Sequence, residues 1–201
     1  MKKITIGMLG VILLMFVTGC AKAEEDTAVI KYKSNSNHQQ AFRELSLGEL
    51  REFEFQYPEN ESTEVEIWID YYINGEKQND PTSLTFRTME DDNDKGFFGM
   101  GLIRHQGKEP IFFLYGPNQS IQDKRREEDV WGSLQISGWQ HHPGDKGITL
   151  ETGEEVAVTA YSGTTSNETR MYNLGDKDEL RNLVNKHEVV LLLKAKLTTI
   201  P

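Results

Sequence analysis

From about Ala41 onward, apolar residues recur at every second position, the spacing of a strand with one face in a core and the other in water. Phe53, Phe55 and Tyr57 alternate with Glu52, Glu54 and Gln56 before Pro58 stops the run. Val65, Ile67, Ile69 and Tyr71 form one face of the next segment, with Glu64, Glu66, Trp68 and Asp70 on the other. Asn74-Gly75 then supplies a tight-turn signal, and Leu84, Phe86 and Thr88 repeat the alternation. Phe97 to Arg104 and Pro110 to Tyr115 flank Gln106-Gly107-Lys108 and predict a hairpin. A second hairpin is predicted where Gly147 to Leu150 and Val156 to Tyr161 bracket Glu151-Thr152-Gly153-Glu154. Trp131 to Trp139 predicts one more strand, with Leu134 and Ile136 inward. The period changes only late in the chain. Asp176, with Glu179 three residues on, resembles a capping box, and Leu180, Leu183 and Val184 make one helical stripe. Glu188 to Leu197 closes the chain as a strand whose Val-Val-Leu-Leu-Leu run predicts burial on both faces. The expectation is an antiparallel β-sandwich of about eight or nine strands with one short helix near the C-terminus. A small lipocalin-like barrel is the alternative, because alternation does not decide closure.

The N-terminus is of another kind. Lys2 and Lys3 precede an apolar stretch, Ile4 to Val17, that is shorter than the ~20 residues a bilayer span needs and suits a secretory signal. Val17-Thr18-Gly19-Cys20 follows, and small residues ahead of a cysteine at this distance resemble the lipobox of bacterial lipoproteins. That resemblance implies cleavage before Cys20 and acylation of its sulfur by diacylglycerol, often with a further chain on the freed amine. Val17 stands where leucine is commoner. Cys20 is the one cysteine of the chain, so an exported body would carry no thiol to mispair. An ordinary signal peptide with an incidental Cys20 is the competing reading. The expected organisation is a signal peptide over 1–19, a lipidated flexible tether over 20–40 and one sandwich domain over 41–201. Val29, Ile30 and Tyr32 are the one hint of a strand within that tether.

Charge narrows the partners. The 201 residues carry 22 Lys and Arg against 32 Asp and Glu, a net charge of −10. Such a surface repels nucleic acid and gains nothing from anionic headgroups, so membrane lipid would be engaged through acylated Cys20 alone. The site expected is the extracytoplasmic face of a bacterial cell membrane. The overall plan resembles lipoproteins of Gram-positive bacteria, and Ala21 is not the Asp that, by resemblance to Gram-negative lipoproteins, would retain the protein at an inner membrane.

Catalytic motifs are sparse, and no cofactor is implied. His141 or His142 with Asp145 offers metal-ligand chemistry, but neighbouring strand residues point to opposite faces, so these read as turn histidines. Asp91, Asn93 and Gly96 occupy three calcium-loop positions, yet Lys95 and Leu102 replace oxygen ligands. In Gly96-Phe97-Phe98-Gly99-Met100-Gly101 no helix follows to bind phosphate, and strand glycines mark the close approach of a neighbour. Gly-x-Ser-x-Gly is absent. The aromatics are the candidate ligand residues: Trp131 and Trp139, which share a face on a regular strand, and Trp68. Rings of this kind stack on sugars or anchor a protein partner, though large rings in a sandwich are more often core. The function expected is binding of a protein or glycan ligand. A carboxylate-dependent wall or glycan hydrolase and a regulatory or stress lipoprotein contacting a membrane protein are the alternatives. Because acyl chains hold a protein almost permanently at a bilayer, Cys20→Ser is expected to move the protein from the membrane fraction to the soluble one. Fractionation with unchanged membrane retention would refute lipid anchoring.

Overall fold

The structure, a computed structural model, describes residues 28–57, 62–78, 82–88, 96–104, 110–123, 130–141, 147–168 and 170–200. The leader with Cys20, the acidic loop from Glu90 to Lys95, His105, the tract from Lys124 to Asp129, His142 and Asp145 lie outside the described residues, as does the side chain of His141.

In chain order the elements are β1 (Ala28–Tyr32), α1 (Asn37–Glu44), β2 (Gly48–Gln56), β3 (Thr63–Ile73), β4 (Glu76–Lys77), β5 (Thr82–Thr88), β6 (Gly96–Ile103), β7 (Ile111–Gly116) and β8 (Gln119–Gln122). A 3-10 turn at Trp131–Ser133 precedes β9 (Ile136–His141), β10 (Ile148–Leu150), β11 (Glu155–Thr164), α2 (Lys177–Lys186) and β12 (Val189–Thr199). Two sheets result, ordered β10-β1-β2-β6-β7-β8 and β4-β3-β12-β11-β9, with β5 beside β4 on the same edge of β3. Every ladder between these strands is antiparallel. The two sheets face each other as an open sandwich, and among the described residues no ladder joins them into a barrel.

Alternation places the core as expected. Phe53, Phe55, Phe98, Met100, Phe112 and Leu114 from the first sheet meet Val65, Ile67, Ile69, Leu191 and Leu193 from the second. Burying each such side chain contributes about 1.5–3 kcal/mol. The Val189–Leu193 run is buried throughout, its alternate residues Val190 and Leu192 facing away from the other sheet. They are covered by Leu183 of α2 with Tyr172 and Leu174, a second, smaller core. The helix starts where the sequence indicates: the Asp176 carboxylate accepts from the amides of Asp178 and Glu179 at 2.9 and 3.0 Å. Asn74 and Gly75, at φ 49° and 84°, form the tight turn between β3 and β4.

Four expectations are corrected. Residues 28–40 do not all belong to a tether: β1 lies between β10 and β2, with Ala28 and Ile30 buried, and α1 begins at Asn37. A second helix is therefore present, and β1 with the short pieces β4 and β8 raises the strand count to twelve among the described residues. β10 and β11 do not form a hairpin; Leu150 pairs with Ala28 in the first sheet while β11 pairs with β9 and β12 in the second. Leu150 gains burial beside Ala28 that a hairpin with β11 would not give it, and the intervening turn crosses between layers. Trp131 is not on a strand with Trp139, because the Ser133 hydroxyl donates to the Val130 carbonyl at 2.7 Å and closes a turn instead.

His187 caps the C-terminus of α2 and is buried, donating from Nδ1 to the Leu183 carbonyl at 3.0 Å with its ring edge-on to Tyr172. Burial lowers its proton affinity below the ordinary 6.5, against the opposing pull of the Leu183 carbonyl and Glu188. The unfolded chain thus takes up this proton first as pH falls. The stabilisation is fully present above pH 6.5 and is lost below it, by up to about 1.4 kcal/mol per pH unit. His187→Asn, which retains a donor, is expected to show a shallower loss of stability between pH 6.5 and 5. Urea titrations giving identical pH slopes for the two proteins would contradict this assignment.

Candidate functional site

An open groove of about 630 Å³ lies on the outer face of the first sheet, lined by His38 of α1, Gly96 and Phe97 of β6, and residues 115–120 of the β7–β8 hairpin. Its construction starts at Ser36, the N-cap of α1, whose hydroxyl oxygen accepts from the Gln39 amide at 3.2 Å. The same hydroxyl donates to Glu52 at 2.6 Å, tying the start of the helix to β2. His38 Nδ1 lies 3.2 and 3.4 Å from the two Glu52 oxygens. A carboxylate only accepts, so Nδ1 carries the proton and a neutral imidazole keeps its lone pair on Nε2. Glu52 itself is only 3% exposed, whereas the His38 side chain is 68% exposed.

The floor depends on glycine. Tyr115 stands opposite Gly99, where an added Cβ would lie 2.6 Å from the Tyr115 ring, and Phe113 opposite Gly101, where it would lie 2.2 Å away. Both rings therefore lie flat across β6, as the glycine-rich strand implied. Tyr115 approaches Glu52, and burial together with that carboxylate holds its phenol far above the ordinary range. His38 meets the Tyr115 ring edge-on at 6.1 Å. Phe97 is 38% exposed, with the Lys33 ammonium 5.9 Å from its ring centre and itself paired to Glu54 at 3.3 Å. β6 also outruns its neighbour: it pairs with β2 from Gly96 onward but with β7 only from Gly99. Among the described residues, the β7-side edge of Gly96–Phe98 has no ladder partner. Aromatic rings, one oriented imidazole and free backbone groups suit an uncharged ligand with an apolar face and polar substituents.

The tryptophans lie elsewhere. Trp131 and Trp139 do converge, both against Tyr161 at 6.5 and 5.3 Å, but inside the space between the sheets. Trp131 also packs on Phe112 at 5.6 Å, and the Arg51 guanidinium sits 5.2 Å from the Trp139 ring. Both rings are half-buried and pack against the core of the sandwich. Trp68 is on the outer face of the second sheet, donating from Nε1 to Asp70 at 3.1 Å beneath Lys194. Asp70 is fully buried and is paired with Lys77 at 2.7 Å and Lys194 at 3.0 Å. Burial opposes the Lys194 charge, but Asp70 outweighs it and raises the ammonium above its ordinary range. The backbone of His141 ends β9 opposite Thr159. Among the described residues no three His, Cys, Asp or Glu side chains are grouped to hold a metal ion.

Sequence reasoning missed His38, Glu52, Phe97 and Tyr115. Ser36 with Gln39 three residues on was the available signal for a helix start, yet nothing local ties that helix to Glu52. Compared with known protein families, curated proteins and solved structures, the chain matches none.

Removing the carboxylate strands the Ser36 hydroxyl and the His38 ring. Glu52→Ala is expected to cost about 1–3 kcal/mol and to speed amide exchange at Gln39 and Gln40. Exchange confined to wild-type rates would show that Glu52 does not hold α1.

Proposed function

We propose that this chain is a lipid-anchored extracytoplasmic binding protein of a bacterial cell membrane, its sandwich presenting the groove at His38, Phe97 and Tyr115 to a neutral glycan. The exposed Phe97 ring beside Tyr115 and an oriented histidine is the observation that carries the ligand assignment. Sugar rings offer one apolar face to an aromatic ring and hydroxyls to surrounding polar groups. Asn118 and Ser120 add an amide and a hydroxyl to the lining. The net charge of −10 favours an uncharged glycan over an anionic one.

The anchor rests on the sequence: Lys2 and Lys3, the short apolar stretch, and Cys20 after Val17-Thr18-Gly19. Lipid and sandwich then have separate roles, the one retaining the protein and the other recognising a ligand. The described lining of the groove offers no pair of carboxylates, and Glu52 behind it is already engaged by Ser36 and His38. A binding role therefore accounts for more of this geometry than hydrolysis does.

Titration calorimetry against a panel of neutral oligosaccharides tests the reading. Binding is expected for the wild type, and Phe97→Ala is expected to weaken it about three- to tenfold, the worth of one aromatic contact. No binding across the panel, or binding that Phe97→Ala leaves unchanged, would remove the groove from the proposal.

A further inference from the structure

The groove lies at the end of the first sheet where the chain emerges from the direction of Cys20. Ala28 begins β1, and Val29 pairs with Gln56 while Phe55 pairs with Gly96. Two strand spacings and two residues of rise therefore separate Ala28 from Gly96, about 12 Å. A domain of this size is about 40 Å across, so the Gly96 end of the groove belongs to the half nearest Ala28. The eight Cα steps from Cys20 to Ala28 span at most about 29 Å whatever their conformation.

Two consequences follow if Cys20 is acylated. The groove is held close to the bilayer surface, and any ligand carried by the same membrane is presented at an effective concentration of order millimolar. An open, shallow groove built on one exposed ring and one imidazole binds weakly, so local concentration decides what occupies it. A ligand free in solution has no such advantage. We infer that the groove reads the uncharged sugar headgroup of a lipid in the membrane that anchors the protein. This rests on the glycan-binding reading above and names the source of the glycan. The chemistry agrees: Phe97 and Tyr115 meet a sugar face, His38 Nε2 accepts from a hydroxyl, and the β7-side edge of Gly96–Phe98, without a ladder partner among the described residues, supplies backbone donors and acceptors. Among the described residues lining the groove none is Asp, Glu, Lys or Arg, and the acidic chain disfavours anionic headgroups.

The test uses the acylated full-length protein in vesicles of phosphatidylcholine, with or without a diglucosyl diacylglycerol, and follows amide exchange at Gly96–Phe98 and Gly116–Ser120. Exchange in these segments is expected to slow at least fivefold with the glycolipid, and Phe97→Ala is expected to reduce that protection while leaving exchange in β12 unchanged. A parallel arm adds a soluble neutral oligosaccharide to plain vesicles. Protection by the soluble sugar without protection by the glycolipid would overturn the membrane source and leave glycan binding standing. Protection by neither would overturn both. Equal protection when an anionic phospholipid replaces the glycolipid would show that the groove does not select sugar, and would also overturn the inference.

Discussion

Strand β12 needs apolar cover on both sides, and most of the architecture answers that need. Leu191, Leu193, Ala195 and Leu197 face one way; Val190 and Leu192 face the other. An amphipathic strand can lie on a single core with its other face wet, but leaving Val190 and Leu192 in water would forgo several kcal/mol of burial, at about 1.5–3 kcal/mol for each large side chain. The first sheet covers one face. Helix α2, with Tyr172 and Leu174, covers the other. The position of β12 between β3 and β11 then orders the second sheet, since both neighbours take their register from it.

Among the described residues each sheet also carries one buried acid on its outer face, and the two are satisfied differently. Asp70 has two ammonium groups and the Trp68 indole, a closed arrangement in which opposite charge offsets the desolvation of the carboxylate. Glu52 has a hydroxyl and an imidazole. The first arrangement fixes a surface. The second orients a ring whose remaining nitrogen is uncommitted, beside exposed Phe97, which is why the site is placed on the first sheet.

The strands that alternate strongly were legible because period two is a property of single segments: β2, β3, β6, β7 and β12 lie where Phe53, Val65, Phe98, Phe112 and Leu191 indicate. The α2 cap was legible for the same reason, Asp176 bonding amides two and three residues away. What escaped depends on partners distant in sequence. The segment of β10 was legible but its partner was not: its three residues pair with Ala28–Ile30 of β1 and not with β11. α1 presents only Phe42 as a large apolar residue, and it is held by Phe113 and by Glu52 on other strands. The surroundings of the tryptophans were not legible, because residue type alone does not reveal that Trp131 and Trp139 both pack against Tyr161.

If Cys20 is acylated as proposed, the placement of β1 decides how firmly the groove is joined to that anchor. An edge strand attached to a membrane could peel away from its sheet under thermal motion, carrying away only one ladder at a time. β1 is bonded on both sides, to β10 and to β2, and its Ala28 and Ile30 are buried in the core. Detaching it requires both ladders and that burial to be lost together. β2 is at once the partner of β1, the partner of β6 beneath Phe97, and the bearer of Glu52 beneath His38. The start of β1, the groove floor and the oriented histidine thus share β2 and its immediate neighbours. The continuous ladders from β1 through β2 to β6 consequently fix the groove's distance from Ala28.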